Sequence, residues 1–178
     1  MKKIILTAIL LFGVFMSKGV YSQDKKMMMP TPAILQKVLD WEGEWEANLT
    51  MNMGGKTATG VDHIKWSKAS DGKAATGMQW MDSPMGGKYY ASHLVGYNME
   101  DKHLHWFVVD NMGQCQESWA EMAGDNHIRL KYSGKKDGKP ISSTVDLMIK
   151  DQNTVDFKSV LMEGGKTTET SMGTYKRH

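Results

Sequence analysis

Sulfur is the most plentiful candidate chemistry in this chain. Sixteen of its 178 residues are methionine, among them Met27-Met28-Met29, Met51-x-Met53 and Met78-x-x-Met81-x-x-x-Met85. Thioethers are soft ligands that suit Cu(I). The same side chain also fills irregular gaps in cores and adaptable pockets. Alternation puts Met51 and Met53 on the apolar face that carries Trp45, where a core would need them. His103-x-His105 sets two imidazoles on one face of a strand, half of a possible metal site. His63, His93 and His127 are scattered, and no further Cys, His or carboxylate cluster has ligand spacing. A solvated strand face is therefore the expectation, and neither a metal site nor a cofactor is assigned. Cys115 is the only cysteine, so no internal disulfide can form. It lies between polar residues with no thiolate-stabilising motif, and inert burial is expected.

Signs of an enzyme are sparse, and non-enzymatic binding is the favoured expectation. No nucleophile elbow or zinc-protease helix is present. Glu117 and Glu121 share a strand face with Trp119. Turned inward they could bind a cationic or hydroxylated ligand; outward exposure is equally open. The aromatic residues carry more weight: Trp41, Trp45, Trp66, Trp80, Trp106 and Trp119, with Tyr89, Tyr90, Tyr97, Tyr132 and Tyr175. Aromatic walls suit an apolar or ring-bearing ligand, because each ring buries a large area. Any one of them can be plain core, but the set predicts some cavity lining. The expected ligand-binding residues are Trp45, Met51, Met78, Trp80, Trp106 and Trp119, with Trp45 closing a floor more than touching ligand.

The elements that would position these residues are strands. From Glu42 onward, extended runs end in turns such as Gly54-Gly55-Lys56, Asp71-Gly72, Gly86-Gly87, Asn111-Met112-Gly113 and Gly164-Gly165. In the first run Trp45, Ala47, Leu49, Met51 and Met53 alternate with Glu44, Glu46, Asn48, Thr50 and Asn52, the pattern of a half-buried antiparallel strand. Further strands are expected near residues 57–68, 73–81, 88–98, 102–110, 114–122, 126–133, 141–150, 154–162 and 166–176. Residues 102–110 carry bulky groups on both faces, so their register stays open. A meander of this length removes its edges by closing into a barrel, and such a barrel can hold one small ligand. Ahead of it, Thr31 as N-cap and Pro32 at the first helical position would open a short amphipathic helix over Ala33–Asp40, placed to plug one end.

The first residues read as an address. Lys2 and Lys3, then the apolar run Ile4–Met16, then Val20-Tyr21-Ser22 resemble a secretory signal peptide, too short for a stable membrane span. The expected organisation is a signal peptide at 1–22, a flexible segment at 23–31 and one barrel domain at 32–178. Export to the periplasm or medium follows. Three of the 22 basic residues and none of the 20 acidic ones lie in the signal, leaving 19 against 20 and a net charge of −1. Nothing resembles the basic patch that nucleic-acid binding requires.

Gly43-Glu44-Trp45, set after a helix and before a meander, resembles the Gly-x-Trp that places a tryptophan in the closed end of calycin-type barrels. Gly96-Tyr97-Asn98 and Trp106 through Asp110-Asn111-Met112-Gly113 resemble a pattern in an uncharacterised family of mostly exported bacterial proteins, itself similar to lipocalin-like barrels. The likeness runs from about Ile34 to the end. It implies a fold, not an activity, and it puts Asp110 at a rim. Haem-binding barrels of the nitrobindin type carry a longer glycine-rich run around that tryptophan. Here Glu46-Ala47-Asn48 follows it, so haem ligation is not carried over.

The resulting expectation is an all-β, single antiparallel up-and-down barrel of about 8–10 strands with a short capping helix. It would be an exported protein holding a small, mainly apolar or aromatic ligand, without stable membrane insertion. The alternatives are a methionine-rich Cu(I) binder and a lipocalin-like enzyme acting on a lipid or isoprenoid.

Overall fold

Alternation of inward and outward side chains along ten runs produces ten strands in the computed structural model, which describes residues 30–83, 86–136 and 138–178. The strands are β1 (Gly43–Met53), β2 (Lys56–Ala69), β3 (Ala74–Asp82), β4 (Lys88–Tyr97), β5 (Leu104–Asp110), β6 (Cys115–Gly124), β7 (His127–Lys136), β8 (Lys139–Asp151), β9 (Thr154–Glu163) and β10 (Lys166–Arg177). Each pairs antiparallel with its neighbour in sequence, and β1 pairs with β10, so the sheet closes on itself. The expected signal segment, most of the flexible segment, Met27–Met29 and Met85 lie outside the described residues.

Two glycines are demanded by close approach. A Cβ on Gly173 would meet the backbone oxygen of Asn48 at 2.6 Å across the β1–β10 seam. A Cβ on Gly77 would stand 2.9 Å from the ring of Trp66. The ladder sets Trp66, Gly77 and His93 side by side on β2, β3 and β4. Removing the middle side chain lets the indole lie across the sheet.

One short helix, α1 (Ala33–Leu39), buries Ile34, Leu35, Val38 and Leu39. These four join Trp41, Trp45, Trp66, Val95, Leu104, Trp106 and Ile128 in one apolar cluster. The helix starts at Ala33 as its sequence suggests, but its cap lies one residue later than expected. Pro32, with ψ of 141°, is itself the N-cap, and no side chain caps it. Thr31 Oγ1 instead accepts a hydrogen bond from Lys73 Nζ at 3.2 Å. Past the helix, Trp45 Nε1 donates to the Trp41 carbonyl at 2.7 Å. The Arg177 guanidinium lies 4.7 Å over the Trp45 ring and donates to the Asp40 carbonyl. The last strand is thereby tied to the helix–strand junction. Among the described residues no helix is long and apolar enough to cross a membrane.

Candidate functional site

The inward faces of the strands leave a cavity of about 170 Å³. A cavity of ~150 Å³ lined by apolar side chains takes up benzene, so this space fits a ligand of ring size. Its walls are Trp41, Trp45, Trp66, Trp106 and Phe157 with Ile64, Val108, Leu130, Val145, Leu147 and Val155. Trp66 and Trp106 meet edge to face at 5.2 Å between centroids, and Trp41 lies 6.2 and 6.3 Å from them. These separations are those of favourable aromatic contact, so the three indoles form a stiff wall.

The polar residues that reach the cavity are Gln79, His93, Gln116, Ser118 and Tyr175. Most of them belong to one chain of hydrogen bonds with a fixed direction. Trp106 Nε1 can only donate, and it meets His93 Nδ1 at 2.9 Å. Nδ1 is therefore the acceptor, and the proton of the neutral ring sits on Nε2, which donates to Gln79 Oε1 at 3.0 Å. That orients the Gln79 amide, whose Nε2 donates to Asp62 Oδ2 at 2.8 Å. The same oxygen accepts the phenolic proton of Tyr175. The ladder places Tyr175 beside Ala47 and Ala47 beside Asp62. The small middle residue leaves room for the phenol to reach across.

Asp62 is wholly buried, and among the described residues its Oδ1 has no hydrogen-bond partner. Burial pushes its carboxyl above the usual range, against the opposing hydrogen bonds from Tyr175 and Gln79. Burial holds His93 down at about 4, so the ring is neutral at ordinary pH. Tyr89 is pushed up to about 12 by burial, with the charges of Asp110 and Asp62 adding to it. Tyr175 is raised by burial and by Asp62. Both phenols hold their protons at neutral pH. With both ring nitrogens engaged, His93 offers no free position to a metal.

The residues singled out in the sequence divide between the two faces of the sheet. Trp45 and Trp106 line the cavity. Met51 is buried but is not among the lining residues. Met78, Trp80 and Trp119 are 55%, 36% and 39% exposed and face outward. Trp80 stacks on His63 at 5.3 Å, and Trp119 meets the His103 edge at 5.0 Å with Lys131 4.7 Å over its face. The physical reason is a one-residue exchange of faces. In β3 the buried or half-buried positions include Ala75, Gly77 and Gln79, and in β6 they include Gln116, Ser118 and Ala120. Small and polar residues point inward there because Trp66 and Trp106 occupy the interior. Trp41, Trp66 and Tyr175 belong to the aromatic set expected to supply some lining but were not singled out, and Gln79, His93, Gln116 and Ser118 were missed; together they left one usable signal. Trp66 shares strand parity with Ile64 and Asp62 in β2.

The methionine and histidine candidates also resolve. Met78 is exposed and accepts a hydrogen bond from Ser92 Oγ at 3.5 Å, whereas Met81 has the opposite strand parity, so the two cannot close on one ion from a regular strand. His105 bridges Asp101 and Glu117 at 2.7 Å each, which raises its pKa, with Glu117 the larger influence. Glu121 pairs with Lys131 at 2.6 Å. Among the described residues no group of three or more His, Cys, Asp or Glu is placed to hold a metal. Cys115 is exposed rather than buried, since it begins β6 on the outward face. Asp110 Oδ1 accepts the backbone N–H groups of Met112 and Gln114 and so builds the β5–β6 turn.

The solved structures that share this fold include the following two. The crystal structure of Rv2717c from M. tuberculosis aligns with a TM-score of 0.56 at 10% identity, covering 84% of this chain and 99% of that one. The S-type phycobiliprotein lyase CPES from Guillardia theta aligns with a TM-score of 0.54 at 12% identity, covering 82% and 92%. At such identities the likeness is one of fold. No family model and no curated protein matches the sequence.

Proposed function

We propose that this protein is an exported binding barrel that holds one small, mainly apolar ligand of ring size in its interior. The observation that carries this reading is the cavity of about 170 Å³ walled by Trp41, Trp45, Trp66, Trp106 and Phe157. Exclusion of water from those walls supplies the affinity, and the few polar groups orient the ligand. The size favours a single or fused small ring over an extended cofactor, because pockets for drug-sized ligands run to ~300–1,000 Å³. Export and the signal peptide at 1–22 are part of the proposal and rest on the N-terminal residues alone. Kinship with an exported bacterial family is also part of the proposal and rests on Gly96-Tyr97-Asn98 and Trp106 through Gly113.

Native mass spectrometry of the protein purified from its own periplasm or medium tests the reading. A co-purifying organic mass that disappears in a cavity-filling Val145→Phe variant is the expected result. A protein that carries no organic mass and shows no calorimetric heat with small aromatic compounds would sink it. A copper-sized increment would instead favour the methionines.

A further inference from the structure

The hydrogen-bond inventory of the cavity narrows the chemistry of its occupant. This step rests on the cavity being the binding site. Tyr175 spends its proton on Asp62, and both His93 nitrogens are engaged. The Gln79 amide is locked by its two neighbours: its oxygen takes the His93 proton, and one of its N–H groups goes to Asp62. Its second N–H is the one donor this chain of hydrogen bonds leaves over, and its buried partners hold it in a fixed orientation; the other polar lining pair, Gln116 donating to Ser118 Oγ at 3.1 Å, has no such partners fixing it. Among the described residues no lysine or arginine lines the cavity, and the buried Asp62 stands directly behind Gln79. An anionic head group would enter unpaired beside a buried acid, which costs far more than it returns. A neutral acceptor meets an oriented donor already held in place.

We propose that the ligand is a neutral, ring-sized carbonyl compound whose oxygen accepts a hydrogen bond from the Gln79 amide while its ring lies against the tryptophan wall. An aryl ketone, aromatic amide or lactam has this chemistry. A fatty acid or an aryl carboxylate does not. Gln79 thus determines specificity, and His93 and Asp62 act through it as positioning residues.

Three probes of nearly equal shape test the proposal by calorimetry on the intact protein: acetophenone, α-methylstyrene and benzoate. Acetophenone and α-methylstyrene differ only by C=O against C=CH2. The expected result is acetophenone binding about fivefold tighter than α-methylstyrene, the value of one net hydrogen bond, with benzoate undetected. In Gln79→Met the ratio of ketone to α-methylstyrene affinity should fall to about one. Equal or reversed affinities in the parent, or benzoate matching acetophenone, would overturn the carbonyl assignment and leave the binding cavity standing. Failure of all three probes to bind would remove both. The order of affinities in the parent protein decides the matter even if the variant does not fold.

Discussion

The indole N–H of Trp106 donates to Nδ1 of His93 at 2.9 Å, which fixes the histidine as the neutral ring protonated at Nε2. Burial holds this ring down at about 4, against about 6.5 when unfolded. Between those values the unfolded chain takes up a proton that the folded one declines. Stability is therefore full above pH 6.5 and falls as pH drops towards 4. The loss attributable to His93 is about 3 kcal/mol, from roughly 1.4 kcal/mol per pH unit. Urea titrations at pH 7 and pH 4 measure it. His93→Gln should be less stable at pH 7 and should show a flatter acid limb; an unchanged acid limb would contradict the assignment.

Asp62 acts with the opposite sign. Its carboxyl is raised by burial, so the folded state holds a proton that the unfolded state has lost just above the ordinary carboxyl range. Its contribution is present below pH 3.8 and is lost as pH rises through the raised value. Asp62→Asn keeps an acceptor for Tyr175 and Gln79 and removes the titration. The variant should lack this component of the pH profile and should gain on the parent as pH rises through the raised value, because it has no charge to bury. Equal pH slopes for the two proteins would refute the prediction.

Gly77 is the point where the tryptophan wall is least forgiving. An added Cβ would meet Trp66 at 2.9 Å, and that indole is 5% exposed and held between Trp41 and Trp106. Gly77→Ala should cost about 1–3 kcal/mol, as overpacking does. Near-ultraviolet circular dichroism should change with it, because the indole must turn. An unperturbed spectrum with full stability would mean that the wall is looser than described.

The tryptophans should separate cleanly in a binding assay. Trp80 and Trp119 lie on the outer face, so Trp80→Phe and Trp119→Phe should leave acetophenone affinity unchanged. Trp106→Phe removes both wall area and the donor to His93, and should weaken binding about tenfold, the upper range of one aromatic contact. Calorimetry on the three variants checks this. Equal losses at Trp80 and Trp106 would place the ligand elsewhere.

How far the sequence could be read depended on which residue type each strand turned inward. In β1 the large apolar residues point in, and Trp45, Ala47, Leu49 and Met51 are buried as alternation requires. The turns, the number of strands and the plugging helix were legible for the same reason. In β3 and β6 the rule reverses. Met78, Trp80 and Trp119 are the larger residues, yet they lie outside, because Gly77 and Ser118 make room for rings contributed by β2 and β5. Apolar alternation within one strand cannot report the volume of a side chain arriving from another. The polar chain from Trp106 to Asp62 was illegible on the same ground. Its members lie on five strands, and only the closed register brings them together.

The seam between β1 and β10 has a consequence for the order of events in folding. It joins Trp45 to Arg177 and Met53 to Glu169, positions at opposite ends of the domain's sequence. Every other pairing in the sheet is a local hairpin, and local contacts form early, whereas joining distant segments is slow. A chain lacking its last strand can build nine strands and still present two bare edges, at β1 and at β9. Loss of Arg177 would also release the clasp on the Asp40 carbonyl and the Trp45 ring. The final dozen residues therefore act as a zip. Before they engage, the protein is an open, adhesive sheet; afterwards it is a container.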